Sequence, residues 1–554
     1  MGGFGLNGSD EEGIATRLWN KFKNERVSVL YSPFIICLAS GTLNSQTFLH
    51  CISQDVYFLQ AFAQAYELAE EYADDDEDKE AIIKLRKRVL KRLRNHDTII
   101  HEWGFEPPKE SACQTATVKY TEFLLETAAG KVGGEKFPGK IVTPFEKTKL
   151  AAYTLSAIAP CMRLYNFISK EILALMQPEE NKHIYKKWLN SLSSEKFEAS
   201  AGRIEVMLDK LSVSLTGEEL EVVERLYHQA MKLELDFILT QSVVSHTIVP
   251  VSQLHNNAEE NLIIFCDFDL TCTAIDSSAL LAEIAIVAAG KADHSGSETE
   301  PSQTPSADIR TTWSNLFSQY IEEYEQCIEA IMPNEAVEGL DYEGLCKALE
   351  QISNFEKRVN SRVIDSNLLR GLSLSDIKRA GEHLTFQDGC KRFFKDLMKS
   401  ETCATDFHVL SYCWCDDLIK STFSSGDLCV PNIHSNCLVY EESISTGNMI
   451  LNMESPMDKL RVFNNICKGS KNDSKPLTVY IGGSVGDLLS LLEADFGIVF
   501  NLSGSLMKLG SRFGISFVPL FSGLVNKQRE LDESGCLNGK GSSGVLYTVS
   551  TTLL

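Results

Sequence analysis

The chain has 554 residues, 44% of them apolar and 23% charged, with a formal net charge of −23. That length exceeds what a single hydrophobic core organises. The charge argues against a nucleic-acid or anionic-membrane partner, because both would repel the protein at long range. The first stretch, "MGGFGLNGSDEEG", is acidic rather than arginine-rich and shows no transit peptide. A cytoplasmic location is therefore expected, or a mitochondrial one if a presequence lies outside this chain. Residues 15–240 then read as helix after helix, with 3.6-residue periodicity in segments such as "SQDVYFLQAFAQAYELAEEYA" and "EELEVVERLYHQAMKLELDFILTQ". No apolar stretch reaches membrane-spanning length, and "VLYSPFIICLAS" is short and holds Pro33.

Within this half an acidic run, "EEYADDDEDKE" (70–80), precedes a basic one, "KLRKRVLKRLR" (84–94). Leu85, Val89 and Leu93 recur there at four-residue spacing, so the basic residues form the wet side of an amphipathic helix. Asp55 shares a helical face with Leu59, Phe62 and Tyr66, and Glu234 with Ala230, Met231, Phe237 and Ile238. A carboxylate on an apolar face needs a partner, either a structural ion pair or a ligand. Cys161, in "SAIAPCMRLYNF", also faces inward, as a core cysteine or as a nucleophile.

Five stretches carry a family resemblance: "YSPFIICLASGTLNSQTFLHCISQDVYFLQAFA", "KYTEFLL", "IAPCMRLY", "HIYKKWL" and "MKLELDF". Together they resemble the TenA family of thiaminase II-like, all-helical aminopyrimidine hydrolases. The resemblance implies that Asp55 grips the aminopyrimidine and Tyr120 lines the pocket. It makes Cys161 the thiol nucleophile and Glu234 the acid that transfers protons. It also implies self-association through residues 15–240. Family members often carry aromatic residues where this chain has Phe58 and Leu192, which points to an altered pocket.

Next, "SVVSHTIVPVSQLHNNAEEN" (242–261) interrupts the helical pattern with proline and polar residues. It divides the chain into an all-α domain over 1–241, a linker, and a second domain over 262–554. The second domain alternates short β-rich runs with helical ones: "NLIIFCDF", "FHVLSYCW", "LTVYIGG", "FGIVF" and "ISFVPLF". Such alternation specifies a parallel sheet with helices on its faces, and ligand sites at the carboxyl ends of strands. "ADHSGSETEPSQTPSAD" (292–308) reads as a loop inside a helical insertion over about 277–395. The sixteen cysteines are scattered, and Cys413 and Cys415 lack a second pair at zinc spacing, so reduced thiols are expected.

Asp267 and Asp269, in "FCDFDLTCT", stand where the first strand ends. Aspartates cap chain reversals readily, but a carboxylate can also attack phosphorus. That chemistry needs a divalent cation, a second acid for the departing alkoxide, and donors for the transferred group. Ser411 ends the strand "FHVLS", Lys459 follows "MESPMD", and Asp487 lies in the glycine-rich turn "IGGSVGDLLSLLEAD". This ordered set, D-x-D-x-T then Ser, Lys and an acidic turn, resembles the haloacid-dehalogenase-like phosphatases, with an α/β Rossmannoid fold and a helical cap after the first motif.

The resemblance makes Asp267 the nucleophile and Asp269 the acid/base. Thr271, Ser411 and Lys459 would hold the phosphoryl group, and Mg²⁺ would sit on Asp267, the Asp269 carbonyl and Asp487. The family usually writes Gly-Asp where this chain has Gly482-Gly483. One acid is thus missing, and Gly483→Asp is expected to lower the magnesium requirement if the backbone there does not need glycine. The fusion resembles the bifunctional thiamine-salvage family of plants. It implies thiamine monophosphate and aminopyrimidines as small-molecule substrates. The rival expectations are a phosphatase for another small phosphomonoester and a binding scaffold whose hydrolase sites have decayed.

Overall fold

The computed structural model describes residues 12–73, 75–107, 112–132, 135–136, 143–176, 183–244, 246–249, 262–295, 305–335, 337–399, 405–426, 428, 432–469, 476–534 and 544–549. The chain divides into two compact units. One comprises Met1–Leu254 with Leu524–Leu537, the other His255–Gly523 with Asn538–Leu554. The expected linker over 242–261 is described only at 242–244 and 246–249, and the acidic first residues lie outside the described ones.

The first unit is built from α1 (Ile14–Lys21), α2 (Lys23–Leu30), α3 (Pro33–Ser40), α4 (Ser45–Ser53), α5 (Asp55–Tyr72), α6 (Asp76–Arg94), α7 (His96–Trp103), α8 (Thr115–Ala128), α9 (Pro144–Leu175), α10 (Lys186–Leu192), α11 (Glu195–Ser212) and α12 (Gly217–Leu239). A two-residue hairpin, β1 (Lys131–Val132) with β2 (Glu135–Lys136), joins α8 to α9. Local signals explain the helix ends. Ser32 caps α3 with Pro33 at its first position, and Gly41 ends it in the left-handed conformation, φ 79°. Thr143 with Glu146 and Thr216 with Glu219 form capping boxes on α9 and α12. The acidic and basic runs become the two ends of α6. Asp76, Glu77 and Asp78 fill its first turn and Lys91, Arg92 and Arg94 its last, complementing the helix dipole. Ile82 and Leu85 are its buried side. Pro160 lies inside α9, beside Cys161, where it cannot donate to the carbonyl one turn earlier.

The second unit holds a seven-stranded, all-parallel sheet in the order β11 (Ser516–Pro519), β12 (Val545–Val549), β10 (Phe496–Phe500), β9 (Leu477–Gly482), β3 (Leu262–Cys266), β5 (Thr405–Leu410), β6 (Asn432–His434). Strand β3 is central and apolar throughout, as a strand covered on both faces must be. Its alternate residues feed two cores, Ile263 and Phe265 on one face and Cys266 on the other. The strand order reverses at β3, since β5 and β6 follow on one side and β9 and β10 on the other. Such a switch point opens a crevice at the carboxyl ends of the strands.

The expected helical insertion contains α13 (Ser277–Ser295), α14 (Ser306–Ile331), α15 (Tyr342–Asp365), α16 (Leu374–Glu382) and α17 (Cys390–Lys399). It is not purely helical. Strand β4 (Arg370–Ser373) pairs antiparallel with β8 (Ile444–Ile450), which pairs with β7 (Cys437–Glu441). The turn between β7 and β8 sets Glu442 and Ser443 at φ 47° and 72°, without the Asn-Gly or Asp-Gly that advertises such hairpins. The expected loop 292–308 begins and ends in helix, and its middle, 296–304, lies outside the described residues. Helices α18 (Asp416–Ser425), α19 (Pro456–Gly469), α20 (Leu488–Glu493), α21 (Gly504–Arg512) and α22 (Leu520–Ser534) complete the fold.

Candidate active sites

The five strand runs read from sequence include β3, β5 and β9, and all the candidate phosphatase residues except Lys459 stand beyond the carboxyl ends of these three. The Asp267 amide donates to the Ile481 carbonyl at 2.9 Å, which extends the β3–β9 ladder one residue past Cys266. Beyond it Leu270 takes φ 58°, and Thr273 Oγ1 donates to Ile275 O at 2.8 Å and accepts from the Leu270 amide. The motif is therefore a tight loop, with Cys266 and Cys272 in sulfur contact at 3.4 Å beneath it.

Lys459, on α19, is fully buried, and its ammonium lies 2.9 Å from Asp267 Oδ1 and 2.8 Å from Asp487 Oδ1. Burial works against that charge, but the two carboxylates outweigh it and raise the lysine pKa. Its ammonium also stands 4.3 Å from the centre of the Tyr412 ring. Burial and Asp487 push the Asp267 carboxyl well above the usual range, against the pull of Lys459. Asp269 receives the Ser277 amide at 2.7 Å and its hydroxyl at 2.9 Å. Burial, followed by Asp276, still pushes Asp269 up to about 7. A carboxyl balanced there can give or take a proton at neutral pH. Ser411 is buried, and its hydroxyl accepts from the Cys413 amide at 3.0 Å; Thr271, four residues after Asp267, is buried too.

Asp487, expected as a metal ligand, sits among protein donors. Its Oδ1 accepts from Lys459 and from Tyr480 Oη at 2.7 Å, and its Oδ2 accepts from the Ser484 amide at 3.0 Å and hydroxyl at 2.6 Å. Four donors occupy the roughly four lone-pair positions of a carboxylate. Burial opposes its charge, but Lys459, Ser484 and Tyr480 hold the carboxyl below its ordinary value. Asp487 thus anchors the ammonium and the turn. Among the described residues no group of three or more His, Cys, Asp or Glu side chains could hold a metal ion. The absent acid at Gly483 has a steric reason: a Cβ there would stand 2.4 Å from the Phe500 carbonyl oxygen. Gly482 is equally confined, by the Asp487 side chain.

In the helical unit a cavity of about 580 Å³ is lined by Asp55, Phe58, Cys161, Leu192 and Glu234, with Tyr165 and Trp188 among its aromatic walls. Asp55 opens α5 and pairs with Arg92 at 3.2 Å. Glu234 is buried, and its Oε1 has no hydrogen-bond partner. Burial pushes its carboxyl up to about 7, with the nearby Cys161 thiol and Tyr120 hydroxyl pulling the other way. Burial, then Glu234, push the Cys161 thiol well above its usual value. The thiol is therefore protonated at rest, beside a carboxylate that can accept its proton. Tyr120, expected to line the pocket, is buried against Phe58, ring centres 5.3 Å apart.

The TENA/THI-4/PQQC family model matches residues 22–132. A protein of Arabidopsis thaliana named "Bifunctional TH2 protein, mitochondrial" is 52% identical over 547 residues, covering 98% of this chain and 88% of that one. The chain belongs to the bifunctional TH2 family. The aminopyrimidine aminohydrolase of Helicobacter pylori is 24% identical over 212 residues, 37% of this chain and 87% of its own. Among solved structures, a phospho-aspartyl intermediate analogue of phosphoserine phosphatase is 18% identical, covering 45% of this chain and 90% of that one, with a TM-score of 0.29.

In this TH2 family member the fold brings Asp267, Lys459 and Asp487 into direct contact, and it gathers Asp55, Cys161 and Glu234 around one cavity. Sequence reading missed Tyr480, Ser484, Tyr412 and Ser277 in the first site and Arg92, Tyr165 and Trp188 in the second. Some signal existed. Tyr165 lies one turn beyond Cys161 on α9, and Ser484 precedes Asp487 at capping-box spacing. Leu192 does lack a ring, as noted from sequence, but Trp188 stands one turn away on α10 in the same wall.

Proposed function

We propose that the chain carries two hydrolases of thiamine metabolism. The α/β unit would hydrolyse thiamine monophosphate through an aspartyl-phosphate on Asp267, and the helical unit would hydrolyse aminopyrimidines. The observation that carries the phosphatase reading is the buried Asp267 at the carboxyl end of the central strand, 2.9 Å from an ammonium and two residues from a carboxyl poised near 7. Asp267 attacks phosphorus, and Asp269 protonates the departing alkoxide and then deprotonates the water that cleaves the acyl phosphate. Thr271, Ser411 and Lys459 hold the phosphoryl oxygens.

Magnesium suits this donor set as a loosely held partner. Asp267 Oδ2 has no protein donor among the described residues. Asp267 and the Asp269 carbonyl would hold the ion, with water and substrate phosphate completing its shell. When bound it would neutralise the phosphoryl oxygens. In the other unit, Asp55 would orient the aminopyrimidine while Glu234 takes the proton of Cys161 for attack. The saturated Asp487 and the crowded Gly483 favour a second reading, a scaffold with a lapsed phosphatase site. Phosphate release across a panel of phosphomonoesters, with and without chelator, separates the two. Thiamine monophosphate should be turned over by the wild type, and Asp267→Asn should lose more than a hundredfold. Retention of over a tenth of the rate, a difference of about 1.4 kcal/mol in barrier, rules out Asp267 as nucleophile.

A further inference from the structure

Helix α15 of the insertion carries an acid that the reaction proposed above does not use. The apolar face of the helix runs through Leu345, Leu349 and Ile352, all buried in one core. Glu356 stands one turn beyond Ile352 on that face, and Asn360 one turn beyond Glu356. Its hydrogen-bond partner is neutral: Tyr320 Oη, on α14, donates to Glu356 Oε1 at 3.2 Å. Among the described residues no lysine, arginine or histidine pairs with Glu356, and its Oε2 has no donor. Arg362, further along the helix, is taken by Glu323 at 2.6 and 3.0 Å. Burial pushes the Glu356 carboxyl up to about 7 against the pull of the Tyr320 hydroxyl, as befits an acid without a countercharge.

The contacts of α15 set this acid beside the catalytic residues. The helix packs on α19, which carries Lys459. Asn360 Oδ1 accepts from Trp414 Nε1 at 3.0 Å, in the loop that follows Ser411. Tyr412, in the same loop, packs against the core that holds Ile352, and its ring centre is 4.3 Å from the Lys459 ammonium. Burial, then Asp487, Glu356 and Asp267, push the Tyr412 hydroxyl up, so Glu356 acts on it together with two carboxylates of the catalytic site. Next to the acid, Tyr320 stacks on Tyr324 with ring centres 5.6 Å apart and planes 17° from parallel. Phe355 closes the group, 5.6 Å from Tyr320. Tyr320, Tyr324 and Glu356 are only half-buried, so the group keeps an accessible side.

We propose that Glu356 and the Tyr320–Tyr324 stack bind the organic arm of the phosphomonoester and select a flat ring that carries positive charge. The phosphate end rests on the phosphatase function proposed above; the ring end rests on the unpaired acid and its aromatic neighbours. A carboxylate without a countercharge is stabilised by a cation brought into the same low-dielectric place. Aromatic faces attract a cation and stack on a flat ring, and they repel an anion. The thiazolium of thiamine monophosphate is both flat and cationic. A sugar phosphate is neither, so the insertion would choose the substrate and the sheet would supply the chemistry.

Two substrates that differ in charge at one nitrogen test this subsite: the phosphate ester of 4-methyl-5-(2-hydroxyethyl)thiazole and its N-methylated thiazolium. Phosphate release from both, and from p-nitrophenyl phosphate, is followed in the full chain with magnesium. The wild type should prefer the thiazolium in kcat/KM by about tenfold, the scale of one partly desolvated charge contact. Glu356→Gln keeps an acceptor for Tyr320 and removes the charge. It should cut the preference to below about threefold, with the loss falling on KM for the thiazolium. Tyr320→Phe breaks the hydrogen bond but keeps the ring and the acid, and should retain the preference. A wild-type ratio near one, a ratio that survives Glu356→Gln, or one lost equally in Tyr320→Phe overturns the subsite, while turnover of p-nitrophenyl phosphate leaves the phosphatase reading standing. Release from none of the three sinks the phosphatase reading instead. Calorimetric binding of the two thiazole esters then decides the subsite, and equal affinities overturn it.

Discussion

Replacing Glu234 by glutamine should stabilise the helical unit, and by more at higher pH. The carboxyl is 2% exposed, and one of its oxygens has no hydrogen-bond partner. Its pKa rises from 4.5 in the unfolded chain to about 7 in the folded one. Between those values the folded chain keeps a proton that the unfolded chain has released. Stability is therefore lost as pH rises through this window and levels off above the folded pKa. At 1.36 kcal/mol per pH unit the full effect is about 3 kcal/mol. Roughly 2.5 kcal/mol of it falls between pH 5 and 8.5. Glutamine keeps the shape and does not ionise, so the variant escapes this loss. In a unit of this size 1 kcal/mol moves a melting point by roughly 2–4 °C. Calorimetric scans at the two pH values should therefore show the variant's advantage growing by about 5–10 °C. A constant or shrinking gap would refute the burial of a lone carboxyl here. Aminopyrimidine hydrolysis should be lost in the same variant.

Tyr480→Phe removes one of four donors to Asp487 and should cost about 1 kcal/mol in denaturant unfolding, with phosphatase turnover reduced less than tenfold. Lys459→Met leaves two carboxylates facing each other in the interior. It should cost about 3–5 kcal/mol and abolish turnover, measured by the same two assays. Gly483→Asp, expected from sequence to restore a magnesium ligand, should instead destabilise by about 1–3 kcal/mol, because its Cβ meets the Phe500 carbonyl. Phosphate release against magnesium concentration should show no lowered requirement. Asp55→Asn should weaken calorimetric binding of 4-amino-5-aminomethyl-2-methylpyrimidine, whereas Cys161→Ser should spare binding and abolish hydrolysis; equal loss in both would indicate general disruption.

Much of this architecture was legible because the relevant signals are local. Helices such as α5 and α12 announce themselves by a 3.6-residue period and their caps, and β3 by an apolar run ending in Asp-x-Asp. The antiparallel sheet was not legible, because the β7–β8 turn places Glu442 and Ser443 at positive φ without the residues that usually signal it. Strand β12 was passed over although "VLYTV" carries a β-branched pattern. In the sites, carboxylates could be picked out by their positions on apolar faces, but not what holds them. That Asp55 would meet Arg92, or that Asp487 would be saturated by donors, depends on contacts 37 and 28 residues apart in sequence. Nor could the sequence show that position 483 has no room for a side chain, since the obstacle is the carbonyl of a neighbouring strand.

The segment Leu524–Leu537 belongs to the compact unit built by the first 254 residues. There Gln528 accepts from the Ile248 amide at 2.8 Å and donates to the His246 carbonyl at 2.9 Å, and Arg529 reaches the Ser40 carbonyl. The halves therefore cannot be traded between genes like beads on a string. A fragment ending at the linker would lack the piece that closes its own helical unit. The complementary fragment would carry that piece with nothing to close. Splitting the gene at residue 254 should yield a helical protein that recovers solubility when a peptide spanning 524–537 is supplied in trans.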